Sequence, residues 1–129
     1  MSEPFQPQKR TWPKKFRDAF RGMGIGVRGQ PSFVIHFVAM ALVILAGIVV
    51  RVSLIEWCVL TLCIAIVLAA ETFNSSLETM AKAVDDGENN HLRDALDISS
   101  AAVLFAAIGA TVAGGVVLAA RFGRFVEWW

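Results

Sequence analysis

The 129-residue sequence predicts an all-α integral membrane protein, with three transmembrane helices per chain and an N-terminal amphipathic helix on the membrane surface. Three observations carry that prediction. The chain is 56% hydrophobic and 18% charged, where soluble domains run at about 45–50% and roughly 25%. The apolar residues fall in three blocks, each long enough to cross a bilayer core at ~1.5 Å per residue. Basic residues gather ahead of the first block, as they do on cytoplasmic flanks. These features exclude a disordered chain, a disulfide-stapled mini-protein and an ordinary cytosolic fold. A net charge of +1 gives no sign of a nucleic-acid partner.

Residues 1–10 are polar, carry Pro4 and Pro7, and read as a disordered tail. A surface helix follows over 12–29. Trp12, Phe16, Phe20, Met23 and Val27 recur at helical spacing on one face, while Lys14, Lys15, Arg17, Arg21 and Arg28 mostly occupy the other. Pro13 suits its first turn. Such a helix beside a span lies in the headgroup plane, either as a topology signal alone or as part of the frame of an interfacial site. Gly22, Gly24, Gly26 and Gly29 are expected to interrupt it as a hinge into the membrane. They open no strand–turn–helix unit, so a phosphate-cradling glycine loop is excluded.

Span one covers about 33–50, with His36 its one strongly polar residue. Arg51-Val52-Ser53 links it to span two, about 54–74, which continues as helix to about 84. Span three, about 98–120, carries no charge, and its Ala102, Ala106, Ala110 and Gly114 fall four apart, the spacing of close helix approach. The tail from Arg124 to Trp129 reads as an interfacial aromatic anchor. Cys58 and Cys63 would point in different directions on a helix and read as buried thiols, not as a disulfide. None of the blocks reads as a cleaved signal. Lys9, Arg10, Lys14, Lys15, Arg17, Arg21 and Arg28 precede span one and outnumber Arg121 and Arg124 of the tail. The N-terminus and residues 82–97 are therefore expected in the cytoplasm and the C-terminus outside.

Acids near a bilayer are costly and are functional candidates by default. Glu71 follows fourteen uncharged residues, at the cytoplasmic edge of span two. On a helix Asn74 lies about 60° and Glu78 about 20° from it, and Asp85 about 40° if the helix persists. Asp97, Ser99 and Ser100 open span three opposite. The pattern suits phosphoryl transfer at a membrane surface, one carboxylate taking a proton from a lipid hydroxyl and others holding Mg²⁺. It equally suits polar contacts between helices. Glu56 reads as a boundary residue paired with Arg51, and His36 as an interfacial histidine or a site residue.

ETFNSSLE (71–78), with Asp97 nineteen residues beyond Glu78 in ALDISSAAVL (95–104), resembles the small prokaryotic diacylglycerol kinase / undecaprenol kinase family. FRDAFRGMGIGVRGQPSFVIH (16–36) is similar to that family's surface helix and first span, and the resemblance covers roughly 14 to 120. It implies a homotrimeric helix bundle in the cell inner membrane, with ATP as phosphoryl donor, Mg²⁺ as cofactor and a membrane lipid alcohol as substrate. The sites would lie between protomers at the cytoplasmic interface. By the same resemblance Glu71 is the catalytic base. Asn74, Glu78 and Asp97 serve the nucleotide, Glu78 also holds metal, and Ser100 lies with Glu71 near the lipid.

The sequence also departs from the family pattern. Gln30 stands at a usual metal glutamate, Leu96 at a usual lysine, Lys82 at a usual aspartate, and residues 86–90 lack the family's Tyr-His. Lys82 or Arg93 are the candidates to replace the lost positive charge. A relative that binds lipid or nucleotide without turnover is the alternative reading. A channel or transporter subunit fits poorly, because the ionisable groups cluster at the interfaces and span three has only Thr111 deep within it. Nothing in the residues separates diacylglycerol from undecaprenol.

Overall fold

The computed structural model describes residues 10–84, 87 and 89–127. Residues 1–9 of the expected 1–10 tail, Asp85 with the neighbouring Asp86 and Glu88, and Trp128 and Trp129 lie outside the described residues. Four helices follow in chain order: α1 (Trp12–Gly29), α2 (Pro31–Val49), α3 (Leu54–Val84) and α4 (Asn90–Glu127). The last three are each long and apolar enough to cross a membrane. This is an all-helical membrane protein among the described residues.

The glycines of α1 do not interrupt it. The helix runs unbroken to Gly29, and the chain turns at Gln30, which is extended at φ −133°, ψ 111°. The cause is Pro31: its ring disfavours helical backbone in the preceding residue, while proline itself fits the first turn of α2. Phe33 packs beneath this joint, and a Cβ on Gly26 would meet its ring at 3.5 Å. Trp12, Phe16, Phe20 and Met23 stay exposed along α1, as a helix lying on lipid requires.

The turn from α2 to α3 is built from backbone bonds. The Arg51 amide donates to Ile48 O at 3.2 Å and the Val52 amide to Gly47 O at 3.1 Å. With Arg51 in the left-handed region at φ 54°, this is a Schellman cap. Ser53 then opens α3 with a capping box: its amide donates to Glu56 Oε2 at 2.6 Å, and the Glu56 amide approaches Ser53 Oγ at 3.4 Å. Gly47 is required here, because a Cβ would come within 2.9 Å of Trp57 Cη2.

The third span is helical well beyond 98–120. It begins at Asn90 because the Asn89 side chain caps it, accepting from the amides of His91 at 3.0 Å and Leu92 at 3.2 Å. Gly114 and Gly115 leave it unbroken. α3 and α4 form the main antiparallel pair, and α2 leans on them more lightly. Their seam centres on Leu60, fully buried, whose Cδ2 lies 3.5 Å from where a Gly114 Cβ would stand. Ala106 and Ala110 are half-buried along that line, whereas Ala102 is exposed.

Two expectations are corrected here. Cys58 is exposed and Cys63 only half-buried, both free, because a thin set of spans leaves much of each helix facing outward. Glu56 does not pair with Arg51. It accepts from Arg121 Nε at 2.6 Å and lies 3.6 Å from Arg124 Nη2, across the bundle on α4.

Candidate functional site

Glu71, Asn74 and Glu78 share one face of α3, and helix geometry alone aligns them. That face is turned inward: Glu71 is 2% exposed, and Asn74 and Ser75 are buried beside it. A buried carboxylate needs partners, and Glu71 finds them on α2. Ser32 donates its hydroxyl to Oε1, and His36 Nε2 stands 3.5 Å from Oε2. Glu78 is served from both sides, by the Gln30 amide on Oε2 and by Asn74 Nδ2 on Oε1 at 2.9 Å.

Asn74 carries the network on to α4. Its Oδ1 lies 2.6 Å from Ser99 Oγ and 3.4 Å from Ser100 Oγ. Ser100 also reaches the Leu96 carbonyl at 2.9 Å, the usual route for a helical serine. One chain of contacts thus links the α1–α2 joint, α3 and the first turns of α4.

The sequence candidates divide accordingly. Glu71, Asn74, Glu78, Gln30 and Ser100 are brought together. Asp97 is not: it is exposed and about 160° around α4 from Ser99, so it faces away from α3. Lys82 is exposed one turn beyond Glu78 and about 20° from the Glu71 line. It has no ion-pair partner among the described residues. Arg93 donates to Asn90 Oδ1 at 3.2 Å on the exposed side of α4. His36 joins the site. Ser32 was not singled out by the sequence, and its one signal is its place four residues before His36 on the same helix face. Among the described residues no three His, Cys, Asp or Glu side chains gather closely enough to hold a metal by themselves.

Fold and site together define a helical membrane protein with a polar, carboxylate-bearing cluster at one end of its spans. Residues 17–118 match the profile of the family described as prokaryotic diacylglycerol kinase. The chain is 28% identical over 101 residues to the undecaprenol kinase of Bacillus subtilis (strain 168), covering 78% of this chain and 82% of that one. It is 32% identical over 105 residues to a diacylglycerol kinase of Synechocystis sp. (strain ATCC 27184 / PCC 6803 / Kazusa). That match covers 80% of this chain but 59% of the longer relative. The chain belongs to the prokaryotic diacylglycerol kinase family and is a lipid kinase of that type.

Proposed function

We propose that the protein transfers the terminal phosphoryl group of ATP to the hydroxyl of a membrane lipid, diacylglycerol or undecaprenol, at the cytoplasmic interface. The observation that carries this reading is the buried Glu71, met by a hydroxyl and an imidazole and by no lysine or arginine among the described residues, on one helix face with Glu78. A carboxylate so placed can release Ser32 and accept the proton of a lipid hydroxyl arriving at headgroup level. Its attachment to α2 and α3 together fixes where that hydroxyl must stand.

Mg²⁺ fits the oxygen donors present. It binds through one or two protein oxygens and keeps phosphate and water as its remaining ligands. Glu78, with the carbonyl oxygen of the Gln30 side chain, would hold it, and it would neutralise charge on the phosphates. The amide in place of a carboxylate lowers the site's charge and weakens its hold on the cation. Asn74 keeps the Glu78 carboxylate in place, and Ser100 lies beside the region a lipid headgroup would enter. Lys82 is placed to meet the phosphates from one turn beyond Glu78.

Asp97 supports an assembly of several chains. It serves the nucleotide only if a neighbouring copy turns its own carboxylate face toward it, and a homotrimer with sites between protomers satisfies that need. The basic residues of α1 support a cytoplasmic N-terminus in the cell membrane, with the C-terminus outside.

The test is phosphate transfer from ATP by the purified protein in mixed micelles with Mg²⁺, diacylglycerol and a polyprenol being offered separately, beside Glu71→Gln. Transfer to one lipid, lost in the variant, is the expected result and names the substrate. No transfer to either lipid by folded, oligomeric protein would move the reading to a binding relative without turnover. The amide at Gln30, tied to Glu78, favours that second reading, and Gln30→Glu is the variant that would probe it.

A further inference from the structure

Ser75 is buried, and its hydroxyl has no hydrogen-bond partner. Such a group costs stability, and a helical serine has a simple way to avoid the cost. Thr72, Thr79 and Thr111 all take it, donating to the carbonyl four residues back at 2.7, 2.8 and 2.7 Å. Ser75 does not, although it stands between two of them on the same helix.

Its position gives the reason. Along α3, Ser75 is about 6 Å beyond Glu71 and about 4.5 Å short of Glu78, and it is turned about 40° from the former and about 60° from the latter. The neighbouring donors are already committed. Ser32 serves Glu71, Gln30 and Asn74 serve Glu78, and Ser99 serves Asn74. Among the described residues the Ser75 hydroxyl is a buried proton donor left uncommitted in the interval between the two carboxylates. Gln30 and Ser32 hold the two carboxylates on either side of this interval, one on Glu78 and the other on Glu71.

We infer that Ser75 is a catalytic residue that donates its hydroxyl hydrogen bond to an oxygen of the phosphoryl group in transit. The inference rests on the lipid kinase reading. In that reaction the lipid O–H proton passes to Glu71 and the lipid oxygen forms a bond to the terminal phosphorus. The bond from that phosphorus to the bridging oxygen breaks, and its electron pair leaves with ADP. The phosphoryl group therefore passes between Glu71 and Glu78, where a cluster of carboxylates repels it and a donor is needed. Ser75 supplies one at that height, and it is unpaired until the phosphoryl group arrives.

The experiment compares wild type, Ser75→Ala and Ser75→Thr as full-length protein in mixed micelles, by steady-state kinetics and by melting without substrates. Ser75→Ala is expected to lower kcat by about tenfold or more and leave the KM for ATP nearly unchanged. Its melting temperature is expected to stay level or rise, since an unpaired buried hydroxyl has been removed. Ser75→Thr keeps the hydroxyl and is expected to keep most of the turnover. A wild-type kcat in Ser75→Ala would overturn the inference and leave the kinase reading intact. So would an activity loss that tracks a lower melting temperature and is not restored in Ser75→Thr. A wild-type protein without transfer would overturn both.

Discussion

Glu56 lies in the first turn of α3, held by the α2–α3 turn and by α4, and Glu71 lies just past the middle of α3, held by the start of α2. Their partners differ in kind. Glu56 closes a capping box with Ser53 and meets two guanidinium groups, Arg121 at 2.6 Å and Arg124 at 3.6 Å. Glu71 is far more buried, yet it is met only by a serine hydroxyl and an imidazole. An acid matched by cations and a cap is a strut: it ties the α2–α3 turn to the end of α4, and exchanging its partners would leave charge unpaired. An acid met by a hydroxyl and an imidazole, with no lysine or arginine beside it, can exchange the hydroxyl for that of a substrate. Burial alone would rank Glu71 as the more structural of the two, whereas the chemistry of the partners ranks it as the functional one.

The largest expected effect tests that contrast directly. Glu71→Gln keeps the shape of the side chain and its contact with Ser32, so the protein should fold and melt close to wild type. Phosphoryl transfer should fall by about 10²–10⁴-fold, the usual loss when a general base is removed. Glu56→Gln should do the reverse, lowering the melting temperature and leaving kcat in place. A Glu56 variant with lost turnover and unchanged melting would erase the distinction between the two acids.

Asn74 sharpens the comparison, because it joins both roles. Its amide holds Glu78 and its carbonyl oxygen takes the Ser99 hydroxyl, so Asn74→Ala removes a bond to a carboxylate and leaves Ser99 with the Leu96 carbonyl alone. The expected cost is about 1–3 kcal/mol of stability, read as a lower melting temperature, together with reduced turnover. Asn74→Asp keeps an acceptor for Ser99 but sets a second carboxylate against Glu78. It should bind Mg²⁺–ATP less well than wild type unless added Mg²⁺ restores it.

The spans and the amphipathic helix were legible because hydropathy and the 3.6-residue period are local properties. The shared face of Glu71, Asn74 and Glu78 was legible for the same reason. The bend was misplaced onto the glycines, although the stronger local signal was the Gln30–Pro31 step, where proline sterics force extended backbone. Residues that meet across the bundle were harder to read. Arg51 is the nearest cation to Glu56 in sequence, but the left-handed backbone there carries its side chain out of the cap, and the actual partners lie 65 and 68 residues on. Ser32 carried no charge to draw notice, and Asp97 carried one that faces away from its own chain's site. Helix phase could have placed Asp97, since it falls about 160° from Ser99.

The smallest effect concerns Arg51 itself, and it isolates backbone from side chain at the structural end. The position closes a Schellman cap in the left-handed region, at φ 54°, where a residue with a Cβ is strained by about 1 kcal/mol. The side chain is exposed, and Glu56 takes its cations from α4 instead. Arg51→Gly should relieve the strain and retain both cap bonds, since neither uses the side chain. Part of the gain is returned through the greater freedom of glycine in the unfolded chain, which leaves an expected increase of about 0.5 kcal/mol. Melting in micelles should show a small rise with phosphoryl transfer unchanged. A fall would mean that the Arg51 guanidinium, not the Arg121 and Arg124 pair alone, steadies the end of the bundle that Glu56 ties together.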